Sequence, residues 1–140
     1  MELLNREKLL SKEKLEIVKV DLGKDEFVYV RQMTGRERDH FEQSLLKQTR
    51  DSKGKLTVEQ SLEDFRAKLA VNTVCDADGN LLLKPTDYPM LSQSMSAARL
   101  EKIVNEGQKL NAITEEDKEE LLKNSDAVPD GSSSSDSVES

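Results

Sequence analysis

The strongest constraint on the fold is a joint between two kinds of backbone. Val28, Tyr29 and Val30 form a β-branched and aromatic run suited to a strand. Four residues later Thr34 has Glu37 at the capping-box spacing: the threonine oxygen takes a free N–H of the first helical turn, and the glutamate reaches back to the cap. Phe41 and Leu45, four apart, then begin a buried stripe. A strand must therefore feed almost directly into an amphipathic helix. Upstream, Glu13 to Leu22 reads as a partner strand, Gly23 to Asp25 as a turn, and Leu15 to Gln32 together as a hairpin. Leu15 and Ile17 share one face, whereas Val18, Val20 and Leu22 share the other, so a bulge or burial on both faces is expected. Two strands alone are not stable in water, so helices must cover the hairpin.

The remaining pattern predicts those helices. The one opened by Thr34 runs to about Gln48, and Asp51 to Gly54 form a loop. Thr57 with Gln60 repeats the capping spacing, and Val58, Leu62, Phe65 and Leu69, widened by Val71 and Val74, predict a long second helix. Asp76 to Asn80 break it, and Leu81 to Leu83 read as a short extended piece. Thr86 caps a short helix through Met95, Ser96 caps one carrying Leu100, Ile103, Val104 and Gly107 on one face, and Thr114 opens a last one ending near Lys123. At the N-terminus, Leu3, Leu4, Leu9 and Leu10 within residues 2–12 suit a short helix that must dock or fray. The fold class expected is α+β: an N-terminal β-hairpin packed by four to five helices, one domain over residues 1–123, and a disordered acidic tail over 124–140.

Composition supports that division. The apolar fraction of 35%, with six glycines beside it, lies below the roughly 45–50% usual for globular domains. Residues 1–113 hold 19 acidic and 19 basic side chains, while residues 114–140 hold 9 and 2, so the net charge of -7 belongs entirely to the last stretch. A balanced body lacks the clustered Lys and Arg that nucleic acid or anionic lipid needs. Cys75 is the only cysteine, so no intramolecular disulfide forms. There is no run of about 18 apolar residues, and the charged start MELLNREKLLSKEK does not suit a signal peptide; a cytoplasmic protein with no membrane partner is expected.

Motifs that could carry chemistry resolve to plainer readings. DADGN, Asp76 to Asn80, starts like a calcium loop, but Gly79 would stand at loop position 4 where 6 is required, and Asp87 would replace the closing glutamate. A turn is the expectation. His40 is the only histidine, which rules out a two-histidine metal site, and it lacks the carboxylate and oxyanion site of a nucleophile-base pair. No catalytic residue, metal or cofactor is expected. Arg31, Arg36 and Arg38, interleaved with acids, suit either a solvated helix face or a partner's polar rim. Met90, Leu91 and Met95 suit core packing or an adaptable groove for an apolar helix. With Leu100, Ile103 and Val104, these six residues and the three arginines are the candidate partner-binding set.

VRQMTGRERDHFEQSLL, the AVNTVCDADGN break at Ala70 to Asn80, and the closing AARLEKIVNEGQKLN resemble the tail assembly chaperones of long-tailed phages and prophages, over about Phe27 to Asn111. The resemblance implies a non-enzymatic cytoplasmic protein that binds and solubilises the helical, apolar tape measure protein during tail morphogenesis and is absent from the finished virion. It also implies the tail tube protein and a frameshifted longer form of the chain as further partners, with self-association open. A structural tail or head-tail protein retained in the virion is the alternative reading, and a small host-directed regulator a third.

Overall fold

A computed structural model of the chain describes residues 1–61, 63–114, 116 and 117, with only the backbone of 59 and 60. The fold is α+β. The joint forms as its residues dictate: β2 (Glu26–Arg31) leads into α2 (Gly35–Ser44) through a corner closed by the reciprocal Thr34–Glu37 box. The Glu37 N–H donates to Thr34 Oγ1 at 3.2 Å, and the Thr34 N–H donates to Glu37 Oε1 at 2.9 Å.

β1 (Ile17–Gly23) pairs antiparallel with β2, placing Val18 opposite Val30 and Val20 opposite Val28. The hairpin closes on two residues, Lys24 and Asp25, both at positive φ, the I′ geometry whose twist matches the strands. The change of face between Ile17 and Val18 needs no bulge, because pairing from Ile17 to Asp21 is regular, and the register shift falls instead at Asp21 to Gly23, beside the turn. Ile17 and the valines do point to opposite faces. A third strand, β5 (Val74–Cys75), lies on the other side of β2, with Val30 opposite Val74 and Tyr29 opposite Cys75. Leu81 adds a bridge to Cys75, which gives the expected extended piece its partner.

One face of this sheet, with Val20, Leu22, Val30 and Val74, buries against Leu100 and Ile103 of α5 (Ala97–Leu110) and Ala70 of α3 (Phe65–Val71). A second cluster gathers Met33, Phe41, Leu45, Phe65, Leu69, Val104 and Ile113. Adjacent residues of α5, Ile103 and Val104, thus serve two different cores, and α3 contributes to both. Phe41 and Phe65 meet edge to face, centroids 5.6 Å apart. Each of these fully buried side chains contributes about 1.5–3 kcal/mol by leaving water. Ser96 caps α5 as expected, accepting from the Arg99 N–H, and α4 (Tyr88–Ser94) follows a 3₁₀ turn at Pro85–Asp87.

Two expected helices are corrected. The one opened by Thr34 stops at Ser44, and Leu46–Arg50 form β3. Thr57 and Gln60 do not cap a helix: Leu56–Gln60 form β4, antiparallel to β3, and α3 begins only at Phe65. Thr49 and Thr57 lie opposite each other with hydroxyls 2.7 Å apart, so the supposed cap bonds across the hairpin instead. Asp51 builds the connecting loop by accepting from the Lys53 and Lys55 N–H groups, with Gly54 at φ 79°. At the N-terminus α1 (Arg6–Leu10) buries no residue. Thr114 and Asp117 exchange cap bonds at 3.0 Å, opening the last expected helix; its continuation to Lys123 and the tail over 124–140 lie outside the described residues.

Candidate functional site

The nine candidate partner-binding residues separate into distinct environments. Leu100, Ile103 and Val104 are core, at most 4% exposed, and cannot meet a partner while the domain is folded. Their helix presents its apolar stripe inward because both the sheet and α3 need a cover. Leu91 and Met95 are half-buried against the same core. Met90, 75% exposed on α4, is the apolar member of the set that stands in water.

Arg31 is a further correction: only 6% exposed, it belongs to the fastening of the strand-helix corner. Its Nη1 and Nη2 each donate to one Glu37 oxygen at 2.8 Å, and Nη1 also reaches the Gln32 carbonyl. This bidentate pairing holds the Glu37 carboxyl below the usual carboxylate range and raises the Arg31 guanidinium further. Arg38 is half-buried and also structural, donating to Glu42 and, from Nη1, to the Asn111 carbonyl at 2.9 Å, which ties α2 to the end of α5. Arg36 is the arginine left exposed. The three therefore do not form one rim.

The turn at Asp76 to Asn80 forms as expected. Asp76 Oδ1 accepts from the Asp78 and Asn80 N–H groups at 2.9 and 3.0 Å. Those backbone donors, Asn80 first, keep its carboxyl below the ordinary value. Cys75 is buried, and burial pushes its thiol up despite the nearby Arg31 charge, so it is a core residue and not a thiolate. His40 is exposed on α2. Among the described residues no group of three His, Cys, Asp or Glu is placed to hold a metal, and no helix is long and apolar enough to cross a membrane. An open cleft of about 470 Å³ lies between residues 12–15 and the 76–80 turn, but the buried arginine lining it is committed to Glu37.

What sequence reasoning missed is the β3–β4 hairpin. Leu46 stands opposite Gln60, Gln48 opposite Val58, and Arg50 opposite Leu56, so Leu46, Val58 and Leu56 share one face. They are 39%, 55% and 48% exposed. The available signal was a five-residue glycine-containing loop between two runs with β-branched residues. Among the described residues, this face, the leucines of the N-terminal arm and Met90 account for most of the large apolar side chains displayed to water. No protein-family model matches the chain, and no curated protein or solved structure matches it either.

Proposed function

We propose that the protein is a non-enzymatic tail assembly chaperone that binds the tape measure protein in the host cytoplasm and keeps it soluble until the tail tube polymerises. The reading begins from the sequence resemblance. The observation that supports it is apolar surface held apart from a closed core. Leu9 and Leu10 of α1, Leu46, Leu56 and Val58 of the small hairpin, and Met90 are exposed while both core clusters are complete without them. A long amphipathic helix can lay its apolar face on such surface, and methionine adapts to irregular partners. The binding residues proposed are therefore Met90 and the newly found hairpin face, in place of Leu100, Ile103 and Val104.

Co-expression with the tape measure protein encoded beside it tests the reading. The tape measure should be recovered soluble and in complex with this chain; equal insolubility with and without it refutes the proposal. Mass spectrometry of purified virions separates the alternative, since a structural tail protein would be present there and a chaperone missing.

A further inference from the structure

The main sheet has one occupied edge and one open edge. On the β5 side the Leu82 N–H donates to the Val74 carbonyl at 3.1 Å and Leu81 bridges Cys75, so that edge is taken. On the other side β1 is the outermost of three strands. The Gln32 N–H donates to the Glu16 carbonyl, which fixes the alternation of the ladder: Val18 and Val20 bond to β2, and the main-chain N–H and C=O groups of Ile17, Lys19 and Asp21 point away from it. Among the described residues nothing bonds to those outward groups. A cleft of about 250 Å³ runs along this edge, between Lys19 to Asp21 and Lys102, Asn105 and Glu106 of α5.

An unpaired strand edge is a template for another chain, and a lysine on the edge commonly deters such pairing. Lys19 is such a residue, exposed, with Nζ 4.3 Å from the centre of the Phe27 ring on the outer face of the sheet. Asp21, also exposed, stands on the same face two residues on, and Val20 between them is the middle residue of Ile17–Gly23. The strand is therefore charge-complementary to itself when turned end for end about Val20. In that register Lys19 faces the second copy's Asp21 and Asp21 faces its Lys19, and their outward N–H and C=O groups exchange hydrogen bonds. The neighbouring registers, centred on Lys19 or on Asp21, set like charges opposite each other and are disfavoured. On the core side Val18 meets Leu22. Val18 is only half-buried, whereas Val20 and Leu22 are 5% and 6% exposed, so the pairing supplies cover that Val18 lacks. The register shift at Asp21 to Gly23 falls at the ends of this pairing.

We propose that the chain self-associates through β1: two copies pair these edges antiparallel around a two-fold axis at Val20, and their sheets become one. The second copy is the occupant because one short stretch supplies both the charges and their complements. With β5 already covered, association through this sheet stops at two. A single strand pair lies at the small end of specific interfaces, so the dimer is reversible and its population rises with concentration. The inference stands on β1 and does not depend on what else the protein binds.

Sedimentation equilibrium of the full chain, from micromolar to millimolar concentration, should follow a monomer–dimer equilibrium. Lys19→Glu alone and Asp21→Lys alone should each weaken dimerisation by about tenfold or more, because like-charge pairs replace both opposite-charge pairs. Mixed in equal amounts, the two variants should dimerise with each other about as well as wild type, since each copy supplies the charge that the other lacks. Circular dichroism establishes that each variant folds. If one does not, amide hydrogen exchange of the unsubstituted chain decides: the Lys19 and Asp21 amides, open to water in the monomer, should exchange several times more slowly as concentration rises. A chain that stays monomeric at millimolar concentration, folded single variants that dimerise like wild type, a folded mixture no better than its components, or Lys19 and Asp21 amides indifferent to concentration would each overturn the proposal.

Discussion

Glu37→Gln isolates the fastening of the strand-helix corner. The substitution keeps the side chain's shape and an oxygen able to accept from the Thr34 N–H, so the helix cap can survive. What is lost is the charge facing Arg31, whose side chain is 7% exposed against 23% for Glu37. Breaking a fully buried ion pair from one side costs about 3–5 kcal/mol, because the surviving charge is left without compensation. A hydrogen bond to a charged group contributes about 1.5–3 kcal/mol. Since Glu37 keeps some contact with water, a loss of about 2–3 kcal/mol is expected. Urea unfolding at pH 7 measures it. The pH dependence supplies the sharper check. Glu37 has a depressed folded-state pKa, so its stabilisation is complete above its unfolded value, near 4.5, and is lost as pH falls through the folded one. The gap between wild type and variant should be widest at neutral pH and close toward acid, where protonated Glu37 resembles glutamine. A loss under about 0.5 kcal/mol, the range of an ordinary surface substitution, or a gap constant with pH, would refute the assignment of Arg31 and Glu37 as the corner's ion pair.

Ile103→Ala should cost about 2–4 kcal/mol by leaving a cavity between α5 and the sheet, read as a lower urea midpoint. Gly107→Ala should stabilise by up to about 1 kcal/mol, because a Cβ there meets Leu69 and Thr73 at ordinary contact distances of 3.5 and 3.6 Å while helix propensity improves; calorimetry would show a raised Tm. Gly79→Ala should instead destabilise by roughly 1–2 kcal/mol, since φ is +89° and the new Cβ would sit 3.2 Å from Ile17 Cδ1. Met90→Lys should leave the urea midpoint within about 0.5 kcal/mol of wild type and reduce recovery of soluble tape measure protein on co-expression.

The elements legible in the sequence are those whose determinants are local. The Thr34–Glu37 box, the Ser96 cap and the Gly23 to Asp25 turn each depend on residues within three positions. The β3–β4 hairpin was hidden by coincidence of spacing: Val58, Leu62, Phe65 and Leu69 satisfy a helical period in sequence, but Val58 faces water from a strand, while Phe65 and Leu69 belong to α3. β5 has two residues and exists only because β2 offers an open edge more than forty positions away. The candidate site was harder still. Periodicity placed Leu100, Ile103 and Val104 on one face of a helix, but whether that face meets the protein's own core or a partner depends on what packs there. Arg31 looked like surface because its partner lies six residues on, across a corner that brings them together only after the chain turns.

The position of α5 sets an order of events during synthesis. The valine face of β1 and β2 is complete once Arg31 has been made, but its cover, Leu100 and Ile103, lies near the end of the described chain. About eighty residues separate Arg31 from the end of α5 at Leu110. At 5–20 residues per second the nascent sheet therefore waits roughly 4–16 s for its partner helix. During that interval the uncovered valines are open to contact with other chains, and slower translation after Arg31 should increase the chain's dependence on cellular folding machinery.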